Sequence, residues 1–107
     1  MTELRRTPRA RLDADVDVAI AGEHHAGRSR DISNGGMFLE ASVVPEFGAE
    51  VIVTLTMPGQ KAPFAIPGVV RWTRDGGMGV QFGLLGARET HAITEFVARS
   101  SIRLNRP

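Results

Sequence analysis

The chain has 107 residues, enough for one domain with a single modest core, and its 42% hydrophobic and 23% charged content is that of an ordinary globular domain. With no cysteine, structural disulfides, thiolate metal sites and thiol nucleophiles are excluded. No apolar stretch is long enough to span a bilayer, and no charged region followed by an apolar run marks a secretory leader, so a soluble, cytoplasmic protein without membrane association is expected.

The formal net charge of +1 conceals an uneven distribution. Residues 1–11 carry Arg5, Arg6, Arg9 and Arg11 against a single Glu3, and the next segment turns acidic with Asp13, Asp15 and Asp17. A basic cluster on a nearly neutral domain predicts a local anion site, not a broad polyanion-binding surface.

In chain order, residues 1–12 lack apolar periodicity, and Pro8 cannot donate inside a helix, so they read as a flexible basic arm. Val16, Val18 and Ile20 alternate with Asp15, Asp17 and Ala19, the period of a half-buried strand. Ala21 to Gly27 reads as a turn region holding His24 and His25. A polar strand over 28–32 follows, then the turn Asp31-Ile32-Ser33-Asn34-Gly35-Gly36, then a short apolar strand through Met37, Phe38 and Leu39. Pro45 and Gly48 punctuate a loop. Val51, Val53, Leu55 and Met57 alternate as a β-branched strand. Phe64, Ile66, Val70 and Trp72 share one parity, with Pro67-Gly68 suggesting an edge or a bulge, and Trp72 expected in the core or on the rim. Asp75-Gly76-Gly77 predicts a hairpin into Met78, Val80 and Phe82.

After Gly83 the period changes. Ile93, Phe96 and Val97 fall at i, i+3 and i+4; Gly86 can cap, and Glu95 precedes Arg99 by four. The pattern predicts a helix over about 87–100 that caps the sheet, with 101–107 a frayed tail. Six short strands and one helix argue an all-β barrel or sandwich, and closure, which removes exposed strand edges, favours the six-stranded antiparallel barrel over 13–100. The four methionines read as core filling.

Catalysis finds little support. His24, His25 and His91 lack partners at metal-ligand spacing, Ser33 lacks a base and a nucleophile elbow, and no strand-to-helix phosphate loop is present. No metal, no cofactor and no enzymatic activity are expected. Two motifs remain, Arg5-Arg6-Thr7-Pro8-Arg9 and Asp31-Ile32-Ser33-Asn34-Gly35-Gly36. Each alone is weak, since arginine-rich termini are usually solvated and Asp, Ser and Gly favour turns anyway. Together they offer guanidinium donors with carboxylate and hydroxyl acceptors, the two halves of a ligand site.

Set side by side, these motifs resemble the two-part signature of PilZ domains, and Gly68-Val69-Val70-Arg71-Trp72 with Gly79-Val80-Gln81-Phe82 resembles that family's closing hairpin. The resemblance runs from Arg5 to about Val97 and implies a six-stranded antiparallel barrel with a C-terminal α-helix. It also implies binding of the bacterial second messenger cyclic di-GMP. On that resemblance, Arg5 and Arg9 hold phosphate and the guanine O6/N7 edge, with Arg6 as an auxiliary contact. Asp31 accepts from the guanine N1–H and N2–H donors, Ser33 adds a hydroxyl bond, and Gly36 keeps the turn clear of the base. The family's residue before the first arginine tunes ligand stoichiometry; here it is Leu4, whose apolar side chain predicts one ligand per chain. Binding is expected to order the arm for a protein partner to read. The alternative is a PilZ-like interaction adaptor that does not respond to the nucleotide. A nucleic acid polymer as partner is disfavoured, because one Trp, no Tyr and phenylalanines of apolar parity leave no row of stacking platforms.

Overall fold

The computed structural model describes the backbone of residues 9–104 and the side chains of residues 9–100. Leu4, Arg5 and Arg6 lie outside the described residues. Six strands run in order, β1 (Arg9–Ile20), β2 (Glu23–Ser33), β3 (Gly36–Ala41), β4 (Glu50–Leu55), β5 (Phe64–Arg74) and β6 (Gly77–Phe82), followed by helix α1 (Ala87–Leu104). Every pairing is antiparallel, and the sheet closes as β1-β2-β3-β6-β5-β4. The barrel expectation therefore holds, and each long edge is hydrogen-bonded to a neighbour.

Alternation builds the interior. Val18, Leu39, Val53, Ile66, Val70 and Met78 are fully buried, and Met37 and Met57 fill the same core. Helix α1 packs against β1 and β2, burying Ala92, Ile93 and Val97, as the i, i+3, i+4 pattern predicts. It continues to Leu104, beyond the expected end near residue 100, because no Gly or Pro between Ser100 and Leu104 interrupts it.

Two boundaries and one bulge move. The strand β1 begins at Arg9, so residues 9–12, assigned above to a flexible arm, are sheet: Arg9 pairs with Ser33, and Ala10 and Leu12 are buried. Their small or single apolar side chains gave a fainter alternation than Val16-Val18-Ile20. The predicted turn over 21–27 shrinks to Ala21-Gly22, whose φ values of 52° and 84° match the hand of a tight hairpin. His24 and His25 consequently sit on β2, with His24 Nδ1 2.7 Å from Asp17 Oδ2. Gly27, a turn signal by composition, lies mid-strand, where a Cβ would sit 2.8 Å from the Glu40 carbonyl oxygen. Finally, Pro67 stays in register opposite Ile52, and the bulge of β5 falls four residues later, between Val70 and Trp72.

Two further irregularities lie where β2 meets its neighbours. The register of β1 on β2 shifts between Arg11 and Ala14, and that of β2 on β3 between Ser29 and Asp31. Ser29 and Ile32 both face the core, so Arg30 and Asp31 are left consecutively on the outer side. Ser29 is fully buried and closes the shift, donating to the Leu12 carbonyl at 2.5 Å and accepting from the Ala14 amide at 3.1 Å.

The acidic run after the arm also finds its purpose here. Arg28 meets Asp15 at 2.8 Å, and Arg30 bridges Asp13 at 3.1 Å and Glu40 at 2.8 Å across three strands. Hydrogen bonds from Arg11 and then Arg30 hold the Asp13 carboxyl below its ordinary value of 3.8. A carboxyl whose pKa is depressed by folding stabilises the fold above its unfolded pKa, and that contribution is lost as pH falls through the folded value. Asp13→Asn is thus expected to lower stability modestly near neutral pH, where the contribution is present, to change it little in strong acid, and so to flatten the fall on the acid limb; thermal scans from neutral pH through the acid range check this. An acid limb as steep as in the parent would contradict it.

Candidate ligand-binding site

A cleft of about 410 Å³ opens at one end of the barrel, across the start of β1, the β2–β3 turn, β6 and the bulged part of β5. Arg9 and Ser33 form one wall, Arg71, Trp72 and Gln81 the other, with Gly36 and Gly79 between them. Its size falls within the range of small-molecule sites.

Arg9 and Asp31 are brought together by the β1–β2 register. Asp31 Oδ1 accepts from Arg9 Nε at 3.1 Å and from Nη2 at 2.5 Å. Both side chains remain partly exposed, at 49% and 36%. Arg9 lines the cleft, whereas Asp31 lies on its far side, lining a shallow neighbouring depression together with Arg11 and Arg30. The pair therefore stands at the rim.

Ser33 is buried, and its hydroxyl serves the turn: it accepts from the Gly35 amide and donates to the Gly36 carbonyl, both at 3.3 Å. The Phe82 amide donates to the Gly35 carbonyl at 2.9 Å, fastening the turn to β6. A Cβ on Gly36 would collide with the Val80 carbonyl, so the glycine is required by the close approach of β3 and β6. Asn34, at the tip, donates from Nδ2 to Thr94 Oγ1 at 2.6 Å and joins the turn to α1. Asn34 has no role legible in the motif, because its contact spans 60 positions along the chain.

The opposite wall is where the sequence reading needs most correction. Trp72 shares parity with Val70 and was expected in the core or on the rim. The bulge at Arg71 puts Arg71 and Trp72 both on the outside, and Trp72 is 43% exposed. Its indole stacks on Phe38 with centroids 5.1 Å apart and planes within 5°. Gly79 and Gly77 make this possible, since a Cβ on Gly79 would overlap the indole and one on Gly77 the Phe38 ring. The Arg74 guanidinium lies 5.4 Å from the Trp72 ring and 5.8 Å from Phe38. Beside them, Arg71 Nε donates to Gln81 Oε1 at 2.7 Å. The legible clue was the spacing Gly77-x-Gly79 opposite an aromatic, a strand with its outward Cβ atoms removed.

Among the described residues no group of three or more His, Cys, Asp or Glu side chains could hold a metal, and no buried side-chain polar atom lacks a partner. No helix is long and apolar enough to cross a membrane. The cleft offers guanidinium, amide and indole groups, which suit a planar anionic ligand and lack a nucleophile–base pair.

Comparison with known proteins agrees with this architecture. The family model of the PilZ domain matches residues 3–99. A search of curated protein sequences finds no match. Among solved structures, the Bacillus subtilis inhibitor of motility (MotI/DgrA) superposes with a TM-score of 0.78 at 20% identity, over 95% of this chain and 53% of its own. The present chain thus spans about half the length of that protein. The PilZ domain of YcgR from Escherichia coli, solved with c-di-GMP, gives 0.71 at 15% identity, over 94% and 93%. MrkH of Klebsiella pneumoniae gives 0.67 at 18%, over 95% of this chain and 50% of its own.

Proposed function

The chain belongs to the PilZ domain family, a family of cyclic di-GMP receptors, and we propose that it is itself a cyclic di-GMP receptor without catalytic activity. The observation that carries this reading is the pairing of Arg9 with Asp31, 22 positions apart, at the rim of a cleft that also holds Ser33 and Gly36. A guanine edge offers both acceptors, at O6 and N7, and donors, at N1 and N2. Guanidinium and carboxylate side by side complement that pattern, and charge-assisted bonds to phosphate strengthen it.

In the free protein the two groups satisfy each other. Ligand must therefore share or displace the Arg9–Asp31 bond, with Arg5 and Arg6 of the arm supplying additional positive charge and Ser33 a hydroxyl. Closing the arm over the cleft is the change a protein partner reads. Leu4, with no polar group for a second ligand, favours one nucleotide per chain, and the receptor acts in the cytoplasm, where the messenger is made.

Isothermal titration with cyclic di-GMP tests the proposal. Saturable heat with a stoichiometry near one ligand per chain is the expected result. Folded protein that gives no heat at tens of micromolar would overturn it, leaving the interaction adaptor as the reading to pursue.

A further inference from the structure

We propose that Arg71, positioned by Gln81, is an additional phosphate-binding residue of the cleft, facing Arg9 from the opposite wall. This inference rests on the cyclic di-GMP reading and assigns the ligand's second phosphate a partner outside the two sequence motifs.

Arg9, Arg11, Arg28, Arg30 and Arg99 each meet a carboxylate. Arg71 meets a neutral amide instead: Gln81 Oε1 accepts from its Nε at 2.7 Å. Such a contact holds the guanidinium in place without cancelling its charge. Among the described residues Arg71 makes no ion pair, and no carboxylate lines the cleft. With the Arg9 charge met by Asp31, Arg71 is the uncompensated cation of this space.

Geometry supports the same role. Arg71 lies on the outer side of β5 at the bulge, directly before Trp72, and lines the same cleft as Arg9 with Gly36 and Gly79 between them. With Nε engaged, the two Nη groups remain to donate, in the fork that suits two phosphate oxygens. A ligand with two phosphates needs more than one cation, and among the described residues lining the cleft these are Arg9 and Arg71.

Four variants test this by titration with cyclic di-GMP, each with a thermal scan. Arg71→Ala is expected to weaken binding about tenfold to a hundredfold, the equivalent of losing a bond to a charged group. Arg71→Lys should recover part of the loss. Gln81→Ala should cost less, by loosening the guanidinium. Gln81→Glu is the decisive variant: it keeps the link to Arg71 and adds a negative charge, so thermal stability should hold or rise while affinity falls as in Arg71→Ala. Affinity should also decline less steeply with added salt in Arg71→Ala than in the parent. If the parent binds and both Arg71→Ala and Gln81→Glu bind equally well, the proposal is wrong while the receptor reading stands. If the parent does not bind, the receptor reading fails and takes this one with it.

Discussion

Arg9→Ala is expected to weaken cyclic di-GMP binding about tenfold to a hundredfold while leaving the barrel folded. The loss follows from removing hydrogen bonds to a charged ligand group, worth roughly 1.5–3 kcal/mol. The small effect on folding follows from exposure. Arg9 and Asp31 are 49% and 36% exposed, and pairs of that kind contribute about 0–1 kcal/mol after solvent screening and side-chain entropy. The companion change Asp31→Asn separates charge from base recognition. It releases Arg9 for phosphate but replaces a carboxylate that accepts guanine N–H donors with an amide. Selectivity for cyclic di-GMP over cyclic di-AMP should therefore fall more than affinity for anionic nucleotide as such. Competition titrations with the two cyclic dinucleotides measure both. Equal selectivity in the parent and in Asp31→Asn would remove Asp31 from base recognition.

Ser29→Ala is expected to destabilise the protein by about 2–3 kcal/mol, since each buried polar group left without a partner costs roughly 1–3 kcal/mol. The hydroxyl serves two backbone groups of β1 at the register shift, the Leu12 carbonyl and the Ala14 amide. The side chain is fully buried, so water is poorly placed to replace it. For a domain of this size such a loss lowers Tm by roughly 8–24 °C, using about 4–8 °C per kcal/mol. The consequence reaches the cleft, because the register on this side of the shift sets Arg9 opposite Ser33 and Arg11 opposite Asp31. Weakened cyclic di-GMP binding at temperatures where the variant is still folded should accompany the lower Tm. Ser29→Cys, similar in volume but a weaker hydrogen-bonding group, should fall between the two. A Ser29→Ala protein that melts with the parent would show that the bulge holds without this hydroxyl.

These two experiments address different kinds of information. Arg9 and Asp31 were visible as motif residues, because guanidinium and carboxylate are recognisable by type and each motif occurs once. Ser29 was not. It sits in an ordinary polar strand, and nothing in its neighbours tells that its hydroxyl bonds two backbone groups of β1. The same holds for the opposite wall. By strict alternation Arg71 points outward, either solvated or bordering the site, and Trp72 falls in the core or on the rim. One extra residue in β5 leaves Arg71 outward and brings Trp72 out beside it, so that both line the cleft.

What the sequence by itself determined is the barrel and the pairing of two motifs. Period-two alternation, Asp75-Gly76 with φ values of 45° and 82°, and the switch to helical spacing after Gly83 are local signals. They act between residues a few positions apart, so a linear reading recovers them. Only the tertiary structure decided where the bulges fall, that the strand begins at Arg9, that Asn34 reaches Thr94, and that Arg71 looks across at Arg9. Each of these depends on which backbone lies alongside which, and a shift of one residue in that pairing moves a side chain from the core to the surface.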